Sequence, residues 1–493
     1  MFLAIKSGGI RFTDFHVGSS ICTASRAALL TVYTHALQSI YILIANTQFS
    51  SLFLQGRIGI RTGILTNFDP ESQYGLPLNE TTIAEMLKTA DYDTAMMGKW
   101  HLGTTKDYFP TARGFDYALT VPFSLDMGCV DPCGDPALQM PLTHPDPQDR
   151  CAFNNSSLNA RETIGVPLME NGVVVEQPTN MCQLTDKYIA AAERFITQPH
   201  NGNPFFLYVP WSQVHVPHAH NPRFTGVSKK GMFGDVLAEM DDAVGRILAA
   251  LDDAGVRNNT LIFLTGDNGP WASKCDLAGS SGPYTGDWLK GNGGGSTQKM
   301  TVWEGGHRVV GVFNWPGQIP AGQVSHELAT TFDILPTFAG LSGAQKPANR
   351  QFDGIDLMPL LTGSKHAKGH DVLFHPNTRL QGATPAIVDV GAIRWKNYKV
   401  FHYVGGTSSC GEKGMNFTDI TTDPLVFDLA KDPAESTPLV NGSERDNVLS
   451  QIDKLLQEVF IIIYLYIHII TRSNQFNKLI QPESLLYYSQ KLE

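Results

Sequence analysis

The chain has 493 residues, of which 42% are hydrophobic and 17% charged, and its formal net charge is −10. This length suffices for two to three domains, or for one large α/β domain with a smaller one, and the apolar fraction supplies a full core. The acidic balance excludes nonspecific nucleic-acid binding, which requires a basic surface.

Cysteines and glycosylation acceptors indicate the compartment. If Cys22 serves chemistry, six of the seven cysteines remain, an even number that is compatible with disulfides. Asn-x-Ser/Thr acceptors occur at Asn79, Asn154, Asn155, Asn258, Asn416 and Asn441. Together these features predict a lysosomal or secreted protein. No signal peptide is visible in residues 1–6, so we expect either that the natural N-terminus lies upstream or that the chain is not exported.

A helix that begins with candidate catalytic residues is predicted near the start of the chain. The string Cys22-Thr23-Ala24-Ser25-Arg26 stands directly ahead of good helix formers. Cys22 therefore lies at or near a helix N-terminus, where free backbone N–H groups and the helix dipole favour an anion. The Arg26 side chain can extend over the same end. The alternative is a small buried cysteine that precedes a helix without any chemistry.

The segment 32–55 does not fit the pattern around it. It is largely apolar and aromatic, but polar residues interrupt it before it reaches the ~18 apolar residues of a membrane span. We interpret it as an insertion foreign to the fold, and a translated intron is one hypothesis for its origin.

Polar side chains follow two predicted strands, at the edge where open α/β sheets bind ligands. The strand 94–97 leads into Gly98-Lys99-Trp100-His101, and the strand 204–209 is followed by His215. Each string alone is also compatible with a surface turn that carries an incidental histidine.

Further candidate residues follow later in the chain. The buried-type strand 261–265 is followed by Asp267 and Asn268, whose oxygens suit a hard divalent cation. An Asp-Asn-Gly turn without function is the alternative. Ser124 lies in a loop, and Lys299 precedes a Glu-Gly-Gly string.

The pattern of elements predicts the domains. Residues 1–364 alternate strands and helices, including an amphipathic helix over 235–254 that we assign to core packing. Residues 365–457 form a smaller domain with short strands at 386–390, 398–403 and 425–429. Residues 458–493 match neither pattern, and we interpret them as a non-native tail that carries an aggregation risk if exposed.

In their order, these strings resemble the sulfatase family, and within it the arylsulfatases. The family signature Cys-x-Pro/Ala-Ser-Arg matches Cys22 to Arg26, and Gly98 to Gly103 and Lys299 to Gly306 match two further motifs. The resemblance covers about 8–31 and 56–445. It implies an α/β fold like that of alkaline phosphatase, with a large central mixed β-sheet flanked by helices and a smaller C-terminal antiparallel sheet domain.

The resemblance also implies a reaction. The formylglycine-generating enzyme would oxidise Cys22 to formylglycine, and the chain would hydrolyse an aryl, carbohydrate or glycolipid sulfate ester. Asp267, Asn268 and the modified Cys22 would ligate one calcium ion. Arg26 would hold the hydrated aldehyde, and His101 would be the base for sulfate release. Four residues would bind the sulfate: Lys99, Ser124, His215 and Lys299.

Departures from the family pattern qualify this expectation. The family carries paired metal-binding aspartates on a strand ahead of the signature, and this chain begins after that point. We therefore expect weak calcium binding and reduced turnover. One alternative is a truncated sulfatase without turnover, and another is a phosphatase or phosphodiesterase of the same superfamily. No stable membrane span and no nucleic-acid partner are expected, whereas a homo-oligomer stays open.

Overall fold

The structure is a computed structural model that describes residues 8–32, 64, 66–131, 165–345, 353–376 and 390–456. The tail predicted for 458–493 and nearly all of the insertion predicted for 32–55 lie outside these residues. Within them, no helix is both long and apolar enough to cross a membrane.

Helices and strands alternate through most of the chain. The α-helices are α1 Cys22–Leu30, α2 Ile83–Lys88, α3 Met181–Thr197, α4 Gly231–Asp253, α5 Asp287–Gly291, α6 Glu304–His307, α7 Ile334–Ser342 and α8 Met358–Leu361. The first nine strands are β1 Gly9–His16, β2 Thr31–Val32, β3 Thr81–Thr82, β4 Asp93–Lys99, β5 Tyr117–Val121, β6 Leu168–Glu170, β7 Val173–Glu176, β8 Phe205–Tyr208 and β9 Ile262–Thr265. The others are β10 Arg308–Asn314, β11 Gln323–Ser325, β12 Ala329–Thr330, β13 Val372–Pro376, β14 Val390–Trp395, β15 Tyr398–Phe401, β16 Tyr403–Val404, β17 Thr418–Asp419 and β18 Leu425–Asp428.

The larger strands form two five-stranded mixed sheets and one smaller antiparallel sheet. One mixed sheet has the order β11-β1-β10-β9, with β12 also paired to β1, and the other has the order β7-β6-β5-β4-β8. Strand β4 is parallel to both of its neighbours, whereas β1 is antiparallel to β10 and parallel to β11. The smaller sheet has the order β13-β14-β15-β18. This architecture confirms the predicted α/β fold class.

Aromatic packing holds α1 against the first sheet. Phe15 and Phe313 are fully buried, and the rings of Phe263 and Phe313 stack with centroids 4.5 Å apart. These rings and the apolar residues of α1 belong to one core cluster. Burial of such side chains contributes roughly 1.5–3 kcal/mol each, so the position of α1 is fixed by packing rather than by local propensity.

The helix predicted over 235–254 begins four residues earlier than expected, at Gly231. Helix α4 runs over Gly231–Asp253, and its N-cap residue Lys230 makes no side-chain capping bond. The Asp235 carboxylate instead accepts the backbone N–H groups of Gly226 and Ser228, both at 2.8 Å. Asp235 therefore stabilises the loop that precedes α4. The sequence alone does not reveal this contact.

A buried ionic network joins helix α6 to the smaller antiparallel sheet. The Glu304 carboxylate at the start of α6 accepts hydrogen bonds from Lys399 at 3.0 Å and from Arg394 at 3.2 Å. Lys399 also pairs with Glu435 at 3.2 Å, and all three side chains of this triad are fully buried. Removal of one member would leave an uncompensated buried charge, which typically costs about 3–5 kcal/mol.

Glu435 makes the stability of this junction depend on pH. Burial raises the pKa of its carboxyl from 4.5 to about 7, against the opposing pull of Lys399. The folded state therefore binds more protons than the unfolded state between these values, so the stabilisation is full below pH 4.5 and is lost as the pH rises through 7. We expect the free energy of unfolding in urea to fall by about 2–3 kcal/mol over this window.

The matched variants are Glu435→Gln, which should flatten this decline, and Glu444→Gln at an exposed position, which should preserve it. An unchanged pH dependence in Glu435→Gln would contradict the assignment.

Candidate active site

The predicted site residues gather at the carboxyl ends of the strands, around the first turn of α1. The thiol of Cys22 is 1% exposed, and among the described residues it is the free cysteine. Two groups donate to its Sγ: the Lys299 ammonium at 3.3 Å and the Asn268 amide at 3.5 Å. A residue outside α1 caps the helix N-terminus, since the backbone N–H of Thr23 donates a hydrogen bond to Asn67 Oδ1 at 3.0 Å.

Arg26 connects α1 to both sheets. Its Nε and Nη2 atoms donate to Asp267 Oδ2 at 3.1 and 2.8 Å, and its Nη1 donates to the Lys99 carbonyl at 2.8 Å. Asp267 follows β9, whereas Lys99 is the last residue of β4. One planar guanidinium thus fixes the helix relative to two strand ends.

A ring of polar side chains extends the site from Lys99 to Lys299. The Lys99 ammonium donates to Ser124 Oγ at 3.1 Å, and the Lys299 ammonium lies 2.9 Å from His215 Nε2. Both lysines are buried. The structure therefore brings together every residue that the sequence predicted for sulfate binding.

The electrostatics of the pocket favour negative charge. Burial raises the pKa of the Cys22 thiol, but the ammonium groups of Lys299 and Lys99 outweigh it and hold this pKa well below its usual range. Burial opposes the ionised form of Asp267 too, yet Arg26 and Lys99 lower its pKa. Cations outnumber carboxylates around Cys22, which suits a pocket that binds an anion.

His101 adopts a strained backbone conformation beside this pocket. Its φ is +59°, in the left-handed region that residues other than glycine rarely adopt. Its Nε2 lies 3.1 Å from the Phe68 carbonyl, and its buried Nδ1 has no partner among the described residues. Burial, with Lys99 and Arg26, lowers the pKa of His101 well below its usual value. Such strain is characteristic of functional sites.

Two neighbouring residues were missed by sequence reasoning. The Asp126 carboxylate lies 3.8 Å from His215 Nδ1, and the Trp271 ring lies 5.6 Å from the His215 ring between centroids. Asp126 comes two residues after Ser124, and this proximity was the one available signal. Nothing in the sequence distinguishes Trp271 from a core tryptophan.

The chemistry of the donors fits a calcium ion only in part. Asp267 and Asn268 offer oxygens, but Asp267 Oδ2 already accepts two bonds from Arg26. The Asn268 Nδ2 lies between Cys22 Sγ and Asp267 Oδ1, and a flipped amide would place its oxygen there. Within the part of the chain that the structure describes, these two side chains fall short of the ~6–8 oxygens that calcium prefers.

A second group of potential metal ligands lies at the domain junction, where His16, Glu304 and His375 bring their ligand atoms within 4.8 Å of one another. The Glu304 carboxylate in this group is already paired with Arg308, Arg394 and Lys399. Three adjacent cations oppose a divalent ion, so this group is a structural ionic core.

Disulfides cross-link segments of the chain near the site. Cys275 and Cys410 form a disulfide that ties the loop after β9 to the segment between β16 and β17, and Cys129 and Cys182 are each disulfide-bonded. Four of the six cysteines other than Cys22 are thus in disulfides, whereas Cys133 and Cys151 lie outside the described residues.

The role of Arg26 can be tested through stability. Arg26→Lys keeps the charge but loses the planar fork, so we expect the free energy of unfolding to fall by about 2 kcal/mol. Arg223→Lys, at an exposed ion pair with Asp186, should change it by less than about 0.5 kcal/mol. Equal effects of the two substitutions in urea titrations would argue against the bridging role.

Comparisons with known proteins show the family to which the chain belongs. The sulfatase family model matches residues 2–344, and a model of the C-terminal region of aryl-sulfatase matches residues 368–483. Arylsulfatase G of Rattus norvegicus is 41% identical over 457 residues, which cover 92% of this chain and 80% of the relative. Arylsulfatase A of Homo sapiens is 34% identical over 447 residues, which cover 89% and 78%.

Solved structures share the same fold. The PsFucS1 sulfatase from Pseudoalteromonas sp. has a TM-score of 0.67 at 25% identity, over 92% of this chain and 84% of that one. The phosphonate monoester hydrolase of Agrobacterium radiobacter has a TM-score of 0.54 at 17% identity, over 92% and 89%. The second likeness extends to the fold alone.

Proposed function

The chain belongs to the sulfatase family of sulfuric ester hydrolases, and we propose that it cleaves an aryl, carbohydrate or glycolipid sulfate through a formylglycine made from Cys22. Sulfatases generally use this residue together with a divalent metal. The observation that carries the proposal is the position of Cys22 at a helix N-terminus, in contact with Lys299 and enclosed by Arg26 and Lys99.

Formylglycine explains why a cysteine rather than a serine begins this helix. When hydrated, the aldehyde supplies one hydroxyl for attack on sulfur and a second whose deprotonation allows sulfate to leave. Arg26 is suited to hold these hydroxyls, because it lies one helical turn after Cys22 and is fixed by Asp267 and the Lys99 carbonyl.

The sulfate would be bound by the cationic ring around Cys22. Lys99, Lys299 and His215 neutralise the sulfuryl oxygens, and Ser124 donates a hydrogen bond to sulfate. Because these groups are preorganised in a buried pocket, charge that develops in the transition state is stabilised by several kcal/mol. Lys299 or His215 is placed to give a proton to the leaving alcohol oxygen.

His101 is the proposed base for sulfate release. His101 follows Lys99 at the end of β4, next to the residues that would bind the sulfate. Its unpartnered Nδ1 is free to take the proton, since Nε2 is occupied by the Phe68 carbonyl.

Calcium is the proposed metal, because Asp267 and Asn268 are oxygen ligands of a hard cation. Bound there with the modified Cys22, it would offset charge on the sulfate. The family's divalent metal supports this assignment, and the small number of described ligands indicates weak affinity.

The cellular setting follows from the same proposal. The glycosylation acceptors and disulfides of this chain are typical of proteins that pass through the secretory pathway. We therefore propose a lysosomal or secreted protein whose substrate is a sulfate ester.

The modification can be tested by mass measurement. After co-expression with the formylglycine-generating enzyme, the tryptic peptide Phe12–Arg26 should contain a residue lighter than cysteine at position 22. Cys22→Ala should abolish both this mass change and turnover of an aryl sulfate, with at least a roughly 10³-fold loss. An unmodified thiol in a protein that still cleaves sulfate esters would contradict the proposal.

Calcium affinity can be tested by calorimetric titration of the modified protein. We expect a dissociation constant of about 10⁻⁴–10⁻³ M, weakened further by Asp267→Asn. Asp287→Asn at an exposed position serves as the matched control. Submicromolar binding would contradict the predicted weak affinity. Equal effects of the two substitutions would show that Asp267 does not ligate the metal.

A further inference from the structure

Lys299 is a buried cation with an unusual set of neighbours. Its ammonium contacts Cys22 Sγ at 3.3 Å and His215 Nε2 at 2.9 Å, and its side chain is 4% exposed. Among the described residues, no carboxylate lies within 4 Å of it. The carboxylates of Asp267 and Asp126 act on Lys299 only at longer range.

The indole of Trp271, rather than a carboxylate, lies beside the Lys299 ammonium. Its ring centroid lies 4.9 Å from Lys299 Nζ, and its plane is tilted 49° against the His215 ring at 5.6 Å. The backbone reinforces the contact, because the Lys299 N–H bonds to the carbonyl of Pro270 at 3.0 Å. The electron-rich face of an indole attracts an ammonium group, most strongly where water is excluded.

Conversion of Cys22 increases the importance of this contact. An ionised thiol beside Lys299 is a full counter-charge, whereas a hydrated aldehyde is neutral. In the modified protein, the Lys299 ammonium therefore keeps two described neighbours before the substrate arrives: His215 Nε2 at 2.9 Å and the face of Trp271 at 4.9 Å. A carboxylate in its place would form an ion pair with Lys299 and compete with sulfate, which a π face does not do.

We propose that Trp271 is a positioning residue, which holds Lys299 and His215 in place to receive the sulfuryl group without neutralising them. That the bound anion is a sulfate rests on the proposed function, but the same arrangement suits any tetrahedral dianion in this pocket. Trp271 itself makes no bond to sulfur and takes no proton.

The test compares three variants of the formylglycine-containing protein. Trp271→Leu removes the π face, and Trp271→Phe keeps an aromatic face. Trp395→Leu is the matched control, since Trp395 lies on β14 in the C-terminal domain with Lys396 Nζ also 4.9 Å from its ring. Two quantities are measured: the kcat and KM for an aryl sulfate, and the dissociation constant for inorganic sulfate by calorimetry.

We expect Trp271→Leu to weaken sulfate binding and raise KM by about 10- to 30-fold, with a smaller change in kcat. Trp271→Phe should restore most of the affinity, and Trp395→Leu should leave sulfate binding within about twofold of the unsubstituted protein.

Unchanged sulfate affinity in Trp271→Leu would overturn the inference, and so would a Trp271→Phe variant as weak as Trp271→Leu. Urea titrations confirm that each variant is folded before binding is measured. The binding measurement is separate from turnover, so a protein that binds sulfate through Trp271 but cleaves no ester would contradict the proposed function alone.

Discussion

The bond between Arg26 and Asp267 is the interaction on which the site depends. Arg26 extends from α1, whereas Asp267 follows β9 of one sheet and the Lys99 carbonyl ends β4 of the other. Because the two sheets are hydrogen-bonded separately, this guanidinium joins them at the point where the chemistry occurs. Loss of its geometry would move Cys22 away from the groups that act on the sulfate.

Uncompensated positive charge is the second constraint. Arg26 is paired with Asp267, whereas among the described residues Lys99 donates to a hydroxyl and Lys299 contacts a thiol, an imidazole and an indole. Such a pocket costs stability in the free protein, because buried ammonium groups are desolvated. Packing around α1 opposes this cost, because burial of apolar side chains stabilises the folded state. In return, the pocket is ready to receive an anion without reorganisation.

The sequence allowed prediction of the site where short strings of residues carried the information. The signature at Cys22 and the polar residues after β4, β8 and β9 were correctly placed, since strand ends and helix starts have local signals. Trp271 and Asp126 could not be found in this way, because their roles arise from side chains that meet only in three dimensions. The early start of α4 was also missed, and the sequence alone does not reveal that Asp235 bonds to the preceding loop. The suggestions for 32–55 and 458–493 stay predictions.

The most direct test is turnover by the purified chain, secreted from cells that co-express the formylglycine-generating enzyme. An aryl sulfate is compared with the matching aryl phosphate at acidic pH, with and without calcium. We predict that the sulfate is cleaved in clear preference to the phosphate and that Cys22→Ala abolishes this cleavage. Preferential cleavage of the phosphate, or sulfate cleavage that survives Cys22→Ala, would contradict this prediction.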